Sequence, residues 1–248
     1  MHRRPGKRPQ MRRAGGAGAA GGATGTTVES LARSAIQLVS NKVRRFRNEL
    51  WQNSFVVPAE ARVCPICLAE DEAEMPAEPA AATWKLRTVW TLRPVTVCLG
   101  HEVTLLDVAP NILSTQKVVD LATMVASAGG IRRLQAAADR ARPDDLQAWI
   151  HNRVAGMADQ GGPWLALQTN EQGVRACGML GAVHLHGPEA RILEFSGKES
   201  GRVGQHGFDI AKDGESAIWD ALTEIRSMSV MVSQGRTGHH PVYGSLYK

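Results

Sequence analysis

The chain has 248 residues, 43% of them hydrophobic, and a formal net charge of +5; that is enough for one large domain or two small ones. No apolar run approaches the roughly 18 residues needed to span a bilayer, and the N-terminus lacks the apolar core of a secretory signal, so no membrane partner is expected and the expected location is cytoplasmic. Four cysteines are too few for a disulfide scaffold, and Cys64, Cys67 and Cys98 fall close together beside a histidine, which argues for metal rather than disulfides.

Charge is unevenly spread. Residues 1–50 hold 11 Lys or Arg against Glu29 and Glu49, a local +9, and the remaining residues carry −4. A basic arm on a mildly acidic body suggests a polyanion, usually nucleic acid; for residues 1–13 a solvated tail is the equal alternative. Residues 1–25 are basic, then Gly/Ala-rich, and are expected to be a disordered leader. Gly16-Ala-Gly18-Ala-Ala-Gly21 fits a dinucleotide fingerprint only by accident, because no strand precedes it.

Residues 26–58 read as an N-terminal helical segment. Thr26-Thr-Val-Glu29 forms a capping box, and Leu31, Ala35, Leu38, Val39, Val43 and Phe46 follow at helical spacing. Lys42, Arg44, Arg45 and Arg47 cluster near its end. They either touch DNA phosphates or complement the helix dipole.

Residues 59–108 hold Cys64-Pro-Ile-Cys67 and, 30 residues on, Cys98-Leu-Gly-His101. Each two-residue knuckle places two ligands on one tight turn, with Pro65 stiffening the first and Gly100 permitting the second. Together they supply the four N and S ligands of a tetrahedral zinc ion. Four protein ligands leave no open position for a zinc-bound water, so the expected role is structural. The bland alternative is buried apolar cysteines and an incidental histidine. Between the knuckles, residues 78–83 form a Pro/Ala spacer, and Trp84 to Val97 is β-prone enough for a strand or hairpin arm.

Residues 109–160 read as a helical linker: Ser114 capping one helix that ends at Gly129-Gly130, a second from Ile131 to about Arg140, and a third opened by Pro143. Residues 161–248 read as a C-terminal helical domain. Asn170 caps a helix carrying Cys177 on its buried stripe and stopped by Gly187. Residues 187–213 are weakly structured by pattern, and Asp213 caps a last helix with Ile218, Trp219, Leu222 and Ile225. His184 and His186, two apart, point to different faces and cannot chelate jointly. Ser196-Gly197-Lys198-Glu199 superficially resembles a phosphate loop but lacks the required Gly and Ser/Thr. No enzyme signature is present. The fold class is therefore mainly α, helical bundle segments with a small inserted zinc-ribbon-like module.

Arg62-Val-Cys64-Pro-Ile-Cys67-Leu68-Ala-Glu-Asp71, Arg87-Thr-Val-Trp90, Val97-Cys98-Leu-Gly-His101 and Leu105-Leu106 together resemble the TniQ family, whose motifs run R-x-C-P-x-C-L-x-x-D, R-x-x-W, C-x-x-H, Leu-Leu. A softer likeness continues through Ala176–Gly181, His186-Gly187 and Tyr243–Tyr247, so it spans about Glu29 to Lys248. The family continues beyond this point, and the chain is expected to lack a C-terminal region. The resemblance implies an accessory factor in bacterial transposition, a DNA-associated adaptor that contributes to target-site selection. Its implied cofactor is Zn2+. Its implied partners are DNA, the transposon's AAA+ ATPase, and a transposase or guide-RNA complex; a second copy of the chain is a further candidate partner. A zinc-ribbon transcription regulator is the alternative, and a zinc nuclease a third reading. Arg87 and Trp90 are expected to be structural: Trp90 packing the zinc module onto the helical body, and Arg87 pairing with an acid, Asp71.

Overall fold

The computed structural model describes residues 27, 29, 30, 33, 35–56, 61–108, 120–158, 160–191 and 195–232. The chain divides into two units, Met1–Leu50 and Trp51–Lys248. Thr26, Ser114 and the tail from Gly235 lie outside the described residues, and with them the helix starts and tail motif expected there.

In the first unit, residues 29, 30 and 33 are helical, but the long helix expected through Phe46 does not form. Strand β1 (Gln37–Leu38) pairs antiparallel with β2 (Val43–Phe46), Gln37 opposite Arg45 and Leu38 opposite Arg44. β3 (Glu49–Gln52) adds to a sheet of order β1-β2-β3. The apolar positions read at helical spacing serve a strand as well. Ser40-Asn41-Lys42 is a turn former, Val39 and Val43 are β-branched and stiff, and Arg47 closes the next turn with φ +52°. Those local preferences outweigh the spacing. Lys42, Arg44, Arg45 and Arg47 therefore sit on a hairpin, and no helix dipole is there for them to complement.

The second unit begins with short strands around the two cysteine knuckles. β4 (Arg62–Val63) pairs with β7 (Leu106–Asp107), and β5 (Val97–Cys98) with β6 (Val103–Thr104), both antiparallel. Helix α1 (Pro65–Glu74) and the short α2 (Ala80–Thr83) follow β4. The stretch from Trp84 to Val97 is not a hairpin arm. It holds a 3-10 turn over Thr88–Thr91, whose Val89 and Trp90 are buried, so its apolar residues serve a compact turn instead of a ladder.

The helical body comprises α3 (Leu121–Ser127), α4 (Ile131–Ala137), α5 (Asp145–Ala155), α6 (Gly162–Ala166), α7 (Asn170–His186), α8 (Gly197–Lys212) and α9 (Glu215–Val232). The fold is mainly helical, as the sequence pattern implies. Its caps follow sequence chemistry with small shifts. Asp120 and Asp144 accept N–H groups of the first turns of α3 and α5. Thr169, one residue before Asn170, forms a capping box with Gln172 on α7. Asp213 ends α8 instead of opening α9, and Gly214 (φ +96°) makes the corner.

α8 itself was not expected, because Gly197, Gly201, Gly204 and Gly207 depress helix propensity across it. Tertiary packing explains those glycines. A Cβ at Gly207 would strike the backbone of Cys177, and one at Gly181 the backbone of Val203. The two helices thus cross backbone to backbone. Around that crossing, Leu180, Val183, Ala221 and Ile225 form a core cluster with Ile210, Ile218 and Leu222 against it. Trp149 on α5 is buried, with Phe208 at 6.0 Å and the Arg153 guanidinium over its ring at 5.1 Å.

Candidate metal centre

The first knuckle is a helix N-terminus. Cys64 is the N-cap of α1, Pro65 takes the first helical position, and the Leu68 N–H donates to Cys64 O at 3.2 Å. Proline suits that position because its missing N–H would be unpaired anyway. Cys64 and Cys67 thus lie at the positive end of the helix dipole, which favours thiolates. The second knuckle is the tip of the β5–β6 hairpin, closed by the Glu102 N–H donating to Cys98 O at 2.9 Å. The strained residue there is Glu102, at φ +50°, while Gly100 has no positive φ. The expectation that Gly100 permits this turn is thereby corrected.

The four candidate ligand atoms lie within 4.8 Å of one another. Cys67 Sγ is 3.7 Å from Cys98 Sγ, and His101 Nδ1 is 3.5, 3.2 and 3.6 Å from the sulfurs of Cys64, Cys67 and Cys98. Zinc bonds of about 2.3 Å to sulfur and 2.0–2.1 Å to nitrogen, at tetrahedral angles, put S–S edges near about 3.8 Å and S–N edges near about 3.6 Å. The set fits a tetrahedral ion and can hold one.

Electrostatics point the same way. Hydrogen bonds with Cys64 and Cys67 hold the Cys98 thiol far below its ordinary value. Crowding against Cys64 and Cys98, with burial, pushes Cys67 far above it. Three packed thiols share one easy ionisation; a divalent cation removes that conflict by deprotonating them all. Cys177, by contrast, is buried on α7 and pushed up to about 12 by that burial, as befits an inert core residue.

A second tier of groups holds the ligands in place. His101 Nε2 lies 2.9 Å from Glu70 Oε1. With Nδ1 turned to the thiols, Nε2 carries the proton and donates to that carboxylate, a partner that fixes tautomer and ring orientation in metal sites. Asp71, only 2% exposed, takes the Arg87 guanidinium in a fork, Nη1 to Oδ2 at 2.5 Å and Nη2 to Oδ1 at 2.9 Å, while the Lys85 N–H donates to Oδ2 at 2.9 Å. Burial alone would raise the Asp71 carboxyl; the guanidinium and the Lys85 amide outweigh it and hold the group below its ordinary value. Arg87 also lies over the Trp90 ring at 4.8 Å, and Trp90 is buried. Arg62 donates to Val95 O at 2.7 Å and to Leu92 O at 2.5 Å, tying the first knuckle to the strand entry of the second.

Gln147 was invisible to sequence reasoning. From α5 its Oε1 accepts the N–H groups of Thr96 at 2.8 Å and Val97 at 3.1 Å, and its Nε2 donates to Asp144 at 3.0 Å. The helical body thereby holds the backbone just before Cys98. Glu70 was equally unmarked, although its place three residues after Cys67 on α1 puts both on one helix face.

Cys64, Cys67, Cys98 and His101 are thus brought together, with Arg87 and Trp90 beside them. Lys42, Arg44, Arg45 and Arg47 lie in the other unit. On β2 successive side chains alternate faces, so Arg44 and Arg45 point oppositely; Arg45 is exposed, and Arg47 sits over the Phe46 ring at 4.9 Å.

These features define a mainly helical protein with a Cys3His cluster built on paired knuckles. Residues 10–105 match the TniQ family model. TniQ is an accessory domain family of transposition, and the match supports a transposition-associated role. The match begins inside the basic leader and stops at Leu105, so the helical body lies outside it. Comparison with curated proteins and with solved structures gives no match. No described helix is long and apolar enough to cross a membrane.

Proposed function

We propose that this protein is a zinc-containing, DNA-associated adaptor in bacterial transposition, linking DNA or guide recognition to the transposon's AAA+ ATPase and so contributing to target-site selection. The observation that carries this reading is the Cys64, Cys67, Cys98 and His101 cluster, at tetrahedral zinc spacing, inside a segment that matches TniQ. Zinc has a structural role here: it locks two short knuckles that have little core of their own. Lys42, Arg44, Arg45 and Arg47 supply phosphate contacts from the β1–β2 hairpin, which has the form of a ribbon that can lie along a groove.

The test is reconstitution with the ATPase of the same transposon. The zinc-loaded protein recruits that ATPase to DNA, and Cys64→Ser/Cys98→Ser abolishes recruitment. Charge reversal of Lys42, Arg44, Arg45 and Arg47 weakens DNA binding and flattens its salt dependence by up to about 0.9 log units per log unit of salt for each phosphate lost. Absence of any ATPase contact, with sequence-specific DNA binding retained, would favour a zinc-ribbon transcription regulator instead.

A further inference from the structure

A groove of about 780 Å³ runs between the loop before the second knuckle, the entry to α5 and the first turns of α8. Three separate elements put cations on its walls: Arg93, Arg142, and the pair Lys198 and Arg202. All four are exposed. Arg202 spends its charge on Glu199 at 2.7 Å, and Arg142, 89% exposed, reaches Glu102 only at 4.0 Å. Lys198 makes no ion pair among the described residues. Among the described residues the one acid on the walls, Asp144, is committed to capping α5 through the Gln147 N–H and Nε2.

The remaining wall is shaped for close approach by a strand. Gly201 lines the groove, and a Cβ there would meet nothing within 4 Å. The surface is bare backbone that a phosphate can approach closely. Ser196 caps α8 without a side-chain hydrogen bond, so the first amides of the helix add positive potential beside the cations. Phe195, in ring contact with His186 at 4.7 Å, gives the same groove an aromatic edge. Cations along a channel with an aromatic platform are the means by which proteins hold single strands without reading sequence.

We propose that this groove binds a single nucleic-acid strand, with backbone phosphates on Arg93, Arg142 and Lys198 and a base against Phe195. The proposal rests on the chain being nucleic-acid-associated but not on the hairpin cations, and each can fail alone. The probe is a fluorescein-labelled ten-residue oligothymidylate, followed by anisotropy with the full zinc-loaded chain. Gly201→Gln adds a side chain to the groove wall where a Cβ meets nothing within 4 Å, and replaces a helix glycine by a better helix former. Arg142→Glu/Lys198→Glu, both exposed, is a second variant that leaves packing untouched.

Each variant is expected to weaken strand binding at least tenfold with a thermal midpoint no lower than the parent's. The double reversal should flatten the salt slope by about 1.4, from two lost single-strand phosphate contacts. Reversal of the hairpin cations should leave oligothymidylate binding within twofold. Strand binding within twofold of the parent in a folded Arg142→Glu/Lys198→Glu protein would overturn the proposal. So would displacement of the strand by an equal concentration of poly-glutamate peptide, which would make the groove an acidic-peptide site.

Discussion

Replacing Gln147 by Leu removes the contact that joins the helical body to the second knuckle. The side chain is 7% exposed, and its Oε1 holds the N–H groups of Thr96 and Val97 at once. Leucine is close in size but offers no acceptor, so both amides lose their partner. An unpaired buried donor costs about 1–3 kcal/mol. Val97 is buried and Thr96 exposed, so water can rescue one of the two, and the loss should total about 2–4 kcal/mol. For a domain of this size that lowers the melting temperature by about 4–16 °C. Gln147→Glu keeps an acceptor but places a carboxylate beside Asp144 and loses the Nε2 donor, so an intermediate loss is expected. Calorimetry gives the melting temperature, and amide exchange at Thr96 and Val97 gives the local readout. A Gln147→Leu protein with unchanged melting and unchanged exchange at both amides would refute this account of the junction.

The α7–α8 crossing predicts that Gly207→Ala and Gly181→Ala each destabilise by several kcal/mol, since each Cβ meets backbone that cannot move aside; denaturant melts check this, and tolerance of both would mean the helices do not cross as closely as described. Trp90→Ala should cost about 3–5 kcal/mol, as for other buried aromatics; lost DNA binding at an unchanged melting temperature would instead make Trp90 a DNA contact. The Asp71–Arg87 pair should show in acid. Because the folded carboxyl lies below its unfolded value, its contribution is present above the unfolded value of about 3.9 and is lost as pH falls through the folded one. The stability advantage over Asp71→Asn should be constant from about pH 5 to 8 and shrink below about pH 4; an advantage that grows in acid would contradict the pairing.

Much of the site was legible because its information is local. A C-x-x-C knuckle followed by C-x-x-H marks four candidate ligands by spacing alone, the structure brings them together, and proline at the first helical position marks the turn that carries the first pair. Asp71 as the partner of Arg87 could be chosen from the same short segment, and the structure pairs them. What sequence hid is tertiary. Gln147 acts from 49 residues beyond Cys98, and nothing in its neighbours signals that its amide will close a distant backbone gap. Residues 37–52 carry apolar positions compatible with either period, and only turn chemistry at Ser40-Asn41-Lys42 and Arg47 decides for strands. By pattern alone α8 reads as weakly structured, because glycine depresses helix propensity. Gly207 is there because α7 passes where a side chain would be.

The central claim is that Cys64, Cys67, Cys98 and His101 hold one structural zinc ion. Protein purified without chelator, wild type beside Cys64→Ser/Cys98→Ser, measured for bound metal by mass spectrometry under native conditions, tests it most directly. One zinc per wild-type chain is expected and none in the double variant, together with a loss of the module's stability because metal binding and folding are coupled. Full zinc retention in the double variant, or a wild-type chain that is folded and metal-free after expression in zinc-replete medium, would contradict it.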